Sequence, residues 1–320
     1  MNKIYLDYNI FLDILERESN DFILPLRNKG FVFVYSPAHI EEIARGLECG
    51  KVSREQSLSN LNGIGELTEN IELLPYYSPK FNVIESPYGN NGIQVVKEEP
   101  NYCYERVYGS IKSNRHAKNA QKTVIMEGEG KFSHLSESER QDSLDNINKL
   151  DPIVDILKTN ECIDKLINGF ITLQAKSDTM IELIQNGVIK HPLDSTDIEL
   201  IDSYASMKIT NSNGYYNSLA TNLLTPPSEC FNKIKGNFSF IENMIDIVMR
   251  ELLRYGYKLE KIKKSESSLH DHTHAIYATA CDYFICRDKR LLSKTKATYS
   301  YLGVKTKVLD ANIEGWWQNI

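Results

Sequence analysis

Apolar positions change their spacing several times along this chain, and each change predicts an element. Ile4 to Leu6 is a short apolar run of strand type, after which Ile10, Phe11, Ile14 and Leu15 fall on one face of a helix. Phe31-Val32-Phe33-Val34-Tyr35 is aromatic and β-branched throughout and predicts a buried strand. Ser36 and Pro37 then suit the start of a helix whose stripe is Ile40, Ile43, Ala44 and Leu47, and Gly50 suits its end. Ile71 to Leu74 predicts a strand closed by Pro75; Tyr283 to Cys286 and Val304 to Leu309 predict two more. Between them, from about residue 79 to 262, the periodicity is mainly helical, with helices expected near 101–122, 137–187, 195–224 and 230–255. Loops such as Thr225-Pro226-Pro227-Ser228 punctuate that stretch.

Strands alternating with helices at both ends predict an α/β fold with a doubly wound parallel sheet. The expected division is an α/β domain from residues 1–78 plus 263–320, interrupted by a helical insertion from 79–262. The chain's 320 residues are enough for one large domain or two ordinary ones.

Chemistry concentrates at the ends of the predicted strands. The first strand stops on Asp7, with Asn9 two positions on, and Tyr283 to Cys286 leads to Asp288. His270-Asp271-His272-Thr273-His274 precedes that strand. Open parallel sheets place ligands at the carboxyl ends of their strands, and acidic groups gathered there suit divalent cations. Each residue also has a plainer reading: Asp7 and Asp271 as helix caps, Asp288 as a turn residue, His274 as a surface histidine. Glu42 lies almost opposite the Ile40/Ile43/Leu47 stripe, which also suits a solvated glutamate, and Glu41 is its neighbour and rival.

In their order along the chain these stretches resemble the PIN-domain nucleases. Leu6-Asp7-Tyr8-Asn9-Ile10-Phe11-Leu12 is similar to the family's opening motif, and Ser36 to Ile43 to its second, a serine followed six positions later by an acidic residue and then an aliphatic one. Asp271, Ala278 and Ala280 resemble the third motif, and Phe284 to Leu291 the fourth, with Cys286 where the family usually has threonine. The resemblance implies a sheet ordered 3-2-1-4-5 and a metal-dependent endonuclease. Asp7, Glu42, Asp271 and Asp288 would be catalytic and hold one or two Mg or Mn ions, with Asn9 supporting the first. Glu41 is the rival support beside Glu42, and spacing alone sets His274 one helical turn from Asp271, where it suits steadying that carboxylate or contacting phosphate. It implies nucleic acid as substrate, RNA favoured over DNA. A bacterial toxin or anti-phage effector is the setting suggested by analogy. The alternatives are a DNA nuclease of the same fold and a non-catalytic binding scaffold. His270-Asp271 also matches the dipeptide of HD phosphohydrolases, whose fold is all-helical.

Net charge is −6, so attraction of nucleic acid needs a local basic surface. Arg287, Lys289, Arg290, Lys294 and Lys296 supply one around Asp288, and Lys261, Lys263 and Lys264 supply another where the insertion ends. As a plainer alternative, such runs form solvated faces. Tyr283, Tyr299 and Tyr301 are candidates for base stacking or for packing. The six scattered cysteines contain no CxxC pair, which argues against a zinc knuckle or disulfide framework and predicts a reducing, cytoplasmic setting. Asp7 interrupts the only apolar stretch near the start, so no secretory leader is expected, and no window approaches the ~20 apolar residues of a membrane span, so none is expected either. A protein partner docking on the insertion, or a homo-oligomer, is compatible with the pattern.

Overall fold

A computed structural model describes residues 1–17, 21–75, 80–111, 115–262 and 265–320. The chain begins β1 (Asn2–Leu6), α1 (Tyr8–Arg17), α2 (Ile23–Asn28), β2 (Phe31–Val34), α3 (Pro37–Glu48), α4 (Arg54–Thr68) and β3 (Ile71–Leu74), followed by β4 (Asn82–Glu85) and β5 (Gln94–Lys97). Helices then run as α5 (Pro100–Ile111), α6 (Arg115–Gly130), α7 (Glu137–Ile147), a π-helical turn (Ile153–Leu157), α8 (Asn160–Gln185), α9 (Ser195–Asn211), α10 (Tyr215–Leu224), α11 (Pro227–Ile234) and α12 (Phe238–Arg254). The end is α13 (Ser265–Ala278), β6 (Tyr283–Cys286), α14 (Lys289–Leu302), β7 (Lys307–Asp310) and a 3-10 turn (Trp316–Asn319).

The fold is α/β, built on a four-stranded parallel sheet ordered β2-β1-β6-β7. Beyond β2 the pairing continues through one residue. Tyr35 donates to the Ile71 carbonyl at 3.0 Å and accepts from Leu73 at 2.7 Å, a parallel bridge that sets β3 beside the end of β2. From β3 a small antiparallel sheet follows, ordered β3-β5-β4.

Successive strand residues face opposite ways, so the sheet feeds two cores. Ile4, Leu6, Phe33 and Ile285 pack with Phe11, Leu26, Ile40 and Ile64 from the first four helices, and Trp316 closes this core against Phe22. Tyr5, Val34 and Phe284 face the other way, into a core shared with Phe170 of α8, Ile245 and Val248 of α12, and Tyr299 of α14. Both faces are covered, as parallel sheets require.

Two expectations change here. The stretch after residue 79 opens with strands β4 and β5 rather than helix. Ile93-Gln94-Val95-Val96 is short and β-branched, and its pairing covers the edge that β3 would otherwise expose. Tyr299 and Tyr301 are buried, and the Tyr299 hydroxyl donates to the Ala275 carbonyl, so neither offers a ring for base stacking.

Candidate active site

The parallel strands bring several acidic residues to one edge. At the end of β1, Asp7 still donates its backbone N–H to the Ile285 carbonyl at 2.8 Å, while its own carbonyl accepts from Ile10 and Phe11 at the start of α1. The strand-to-helix turn therefore falls on Asp7 and buries its side chain. Asn9 Nδ2 donates to Asp7 Oδ2 at 3.3 Å. Asp288 follows β6 in the same way and caps α14, Oδ1 accepting from the backbone of Arg290 at 2.7 Å and of Leu291 at 3.0 Å. Asp271 lies on α13, partly buried, and Glu42 on α3.

Some of these carboxylates lie close enough for their charges to act on one another, Glu42 on Asp7 and both Asp7 and Asp288 on Asp271. Burial pushes the Asp7 carboxyl up from 3.8 to about 6; Glu42 adds to the shift, and His274 and Asn9 oppose it. Burial likewise raises Asp271 to about 8, opposed by Lys294 and reinforced by Asp7, Asp288 and Glu260. The buried Cys286 thiol is raised by burial and by Asp7, Asp271, Asp288 and Asp310. Asp310, at the end of β7, and Glu260, just after α12, therefore join the acidic neighbourhood. Sequence reasoning missed both. Asp310 carried a signal of the same kind as Asp7, an aspartate closing a strand, whereas nothing local marks Glu260.

Glu42 departs from its neighbours. Burial would raise its carboxyl, but the hydrogen bond and charge of His274 outweigh that and hold it below the ordinary value. His274 is fully buried; its Nε2 faces Glu42 Oε1 at 3.3 Å and its Nδ1 meets the Tyr5 hydroxyl at 2.8 Å. Tyr5 in turn bonds Ser36 Oγ at 2.6 Å. The Ser36 backbone N–H donates to His39 Nδ1 at 3.1 Å, and His39 Nε2–H donates to the Leu6 carbonyl at 2.8 Å, one residue before Asp7. Burial keeps His39 neutral, its pKa far below the ordinary histidine value. The helical-wheel position of Glu42 suggested solvent, yet α13 packs against that side of α3 and covers it. A polar relay thus connects Glu42 to the backbone beside Asp7; of its members, Ser36 was marked in the sequence only as a helix start and motif serine, and Tyr5 and His39 were given no role.

Other expected residues lie elsewhere. Glu41 faces His270, Oε2 to Nδ1 at 3.9 Å, and burial raises its carboxyl to about 7. His272 pairs with Asp246 at 2.9 Å. Arg287 pairs with Asp13, and Arg290 with Glu260 at 2.9 Å; Lys289 and Lys261 are exposed. Lys294 is wholly buried, which corrects its expected place on a phosphate-binding surface. Lys263 and Lys264 lie outside the described residues. The chain as a whole is α/β and not all-helical.

Among the described residues, no three of Asp7, Glu42, Asp271 and Asp288 bring oxygens all within 4.8 Å of one another; Glu72, Glu98 and Cys103 do offer ligand atoms at that spacing. Arg106 already fills that second cluster, bonding Glu72 at 2.7 Å and Glu98 at 2.6 Å, so it is a buried ion pair with its cation in place. Comparison with protein-family models, curated proteins and solved structures returned no match. Among the described residues no helix is long and apolar enough to cross a membrane.

Proposed function

We propose that the protein is a metal-dependent endonuclease of the PIN type that hydrolyses phosphodiester bonds, with single-stranded RNA as its substrate in preference to DNA. The observation that carries this reading is the convergence of four carboxylates from four elements, with Glu42 acting on the raised carboxyl of Asp7, and Asp7 and Asp288 acting on that of Asp271. The four-stranded order β2-β1-β6-β7, joined to β3 only by the isolated Tyr35 bridge, is compatible with the order the PIN resemblance implies. The preference for RNA rests on the resemblance alone.

The donor set fits Mg or Mn: all four groups are carboxylates, the hard oxygen ligands these ions take. Asp7 and Asp271 hold their protons unusually tightly because burial and like charge disfavour the anion, and a cation relieves both. Asp7, Glu42, Asp271 and Asp288 would hold the ion, whose chemistry when bound is to acidify a water and offset charge on the phosphate. Asn9 steadies Asp7, and His274 fixes the rotamer of Glu42. The exposed Lys289 and Lys261 supply phosphate contacts that the net charge of −6 does not.

The spacing of the carboxylate oxygens favours one alternative, a nucleic-acid or protein-binding scaffold on the same fold. Cleavage of end-labelled single-stranded RNA and DNA with and without Mn²⁺, by wild type and Asp7→Asn, separates them. Mn²⁺-dependent cleavage lost in the variant supports the nuclease; no cleavage, together with no Mn²⁺ binding, leaves the scaffold.

A further inference from the structure

Where the helical stretch meets α14, the fold leaves a cavity of about 610 Å³. Its walls come from three places: Arg140 and Leu144 on α7, Lys258, Leu259 and Lys261 in the segment after α12, and Arg290 on α14. Arg290 joins the cavity to the edge that carries Asp288, since its backbone N–H donates to Asp288 Oδ1 at 2.7 Å. A strand with one phosphate at Asp288 has this cavity beside it.

Four of the lining side chains are long cations. Arg140 and Arg290 are each steadied by a carboxylate, Glu129 at 3.6 Å and Glu260 at 2.9 Å, and Glu137 is the other acid of the lining. Both guanidinium side chains stay partly exposed, at 33% and 44%. Five donors in a planar fork let each keep its carboxylate and still donate to a phosphate. Lys261 is exposed, and Lys258 is clamped from behind. Asn148, at the end of α7, accepts the Lys258 backbone N–H through Oδ1 at 2.8 Å and the Lys258 ammonium through its carbonyl at 3.4 Å. The clamp holds Lys258 in the left-handed region, at φ +48°, where residues with a side chain are uncommon. Such strain persists only where the surroundings over-determine it, and it clusters at ligand sites. Leu144 and Leu259, both half-buried, add apolar surface. Cations for phosphate and apolar wall for a flat ring, in a concavity of this volume, match the chemistry of a nucleotide.

We propose that this cavity seats one unpaired nucleotide of the substrate strand, beside the phosphate presented to Asp288. The inference rests on the nuclease reading above and deepens it by giving the helical stretch a part in holding substrate. A base in a duplex has to leave its stack to enter, so the seat favours single strands.

The plainer role is a wet seam between α7 and α14, crossed by two surface ion pairs of little energetic weight. Fluorescence anisotropy of a dye-labelled oligouridine, alone and paired with its complement, distinguishes the two, with Ca²⁺ present to prevent cleavage. The variants are L144W, which fills the cavity, and R140Q/K258G, with circular dichroism to monitor folding. Glycine at position 258 relaxes the backbone while removing the cation, so the double variant carries the test if L144W does not fold. Expected are single-strand binding about tenfold tighter than duplex binding in wild type, and a loss of about tenfold in single-strand affinity in each variant with duplex affinity unchanged. Equal affinity for both forms in wild type, single-strand affinity unchanged in every folded variant, or a loss shared equally by both forms overturns the inference. Mn²⁺-dependent cleavage that Asp7→Asn abolishes then leaves the nuclease reading standing. No binding and no cleavage of either form by wild type removes both.

Discussion

His274 and Glu42, 232 positions apart, share a hydrogen bond of 3.3 Å in a setting where the imidazole is wholly buried. With Tyr5 on the other ring nitrogen at 2.8 Å, the histidine has one orientation, and Glu42 is held against it, largely out of solvent. Tyr5→Phe removes the hydroxyl that joins His274 to Ser36 and leaves buried polar groups without a partner. The expected result is a stability loss of about 1–3 kcal/mol and a fall in Mn²⁺ affinity of about tenfold. Urea denaturation and calorimetric titration measure them separately; unchanged Mn²⁺ affinity would show that the relay serves packing alone.

Asp7→Asn keeps the shape of the side chain and removes its charge. Metal-dependent cleavage should fall by about 100-fold or more, since loss of a ligand forfeits several kcal/mol of transition-state stabilisation. The metal-free protein should melt at the same temperature or higher, because a buried anion has been exchanged for a neutral amide. A large drop in melting temperature together with undiminished cleavage would make Asp7 a structural cap.

The pH dependence of the metal-free protein has a defined sign. Asp7 and Asp271 have folded pKa values of about 6 and about 8, both above the ordinary 3.8. Between these limits the folded state binds more protons than the unfolded state. The stability these two contribute is complete below about pH 4 and is lost as pH rises through 6 and then 8. Glu42 is shifted down and His274 up, so their pair contributes most between the ordinary carboxylate and histidine values and weakens outside that window. Asp271→Asn should therefore flatten the decline in melting temperature between pH 6 and 8. Mn²⁺ affinity in wild type should climb over the same range as protons leave the site. A wild-type stability curve flat from pH 5 to 8 would contradict the burial of these carboxyls.

Salt dependence tests the phosphate contacts. Lys289→Ala and Lys261→Ala should each reduce the slope of log affinity against log salt for single-stranded RNA by about 0.7. Lys294→Met should leave that slope unchanged, since its ammonium is buried. Fluorescence anisotropy at several salt concentrations, with Ca²⁺ in place of Mn²⁺ to prevent cleavage, reads both effects. Slopes unaffected by the surface lysines would move the nucleic-acid path elsewhere.

The sequence by itself determined the elements of the sheet. Phe31–Val34, Ile71–Leu74 and Tyr283–Cys286 lie where their short apolar, β-rich runs predict, because local propensity and the period of burial agree there. It also located Asp7 and Asp288 at strand ends, since a charged residue that stops an apolar run is visible without any long-range contact. Only the tertiary structure decided the rest. Glu42 reads as solvated until α13 covers it, Lys294 reads as a surface cation until α14 turns it inward, and Glu260 has no local signature at all. Burial of a charged side chain depends on which distant element lies over it and supplies the opposite charge. Helical periodicity records which face of a helix is apolar, but not which partner will reach across to a polar one.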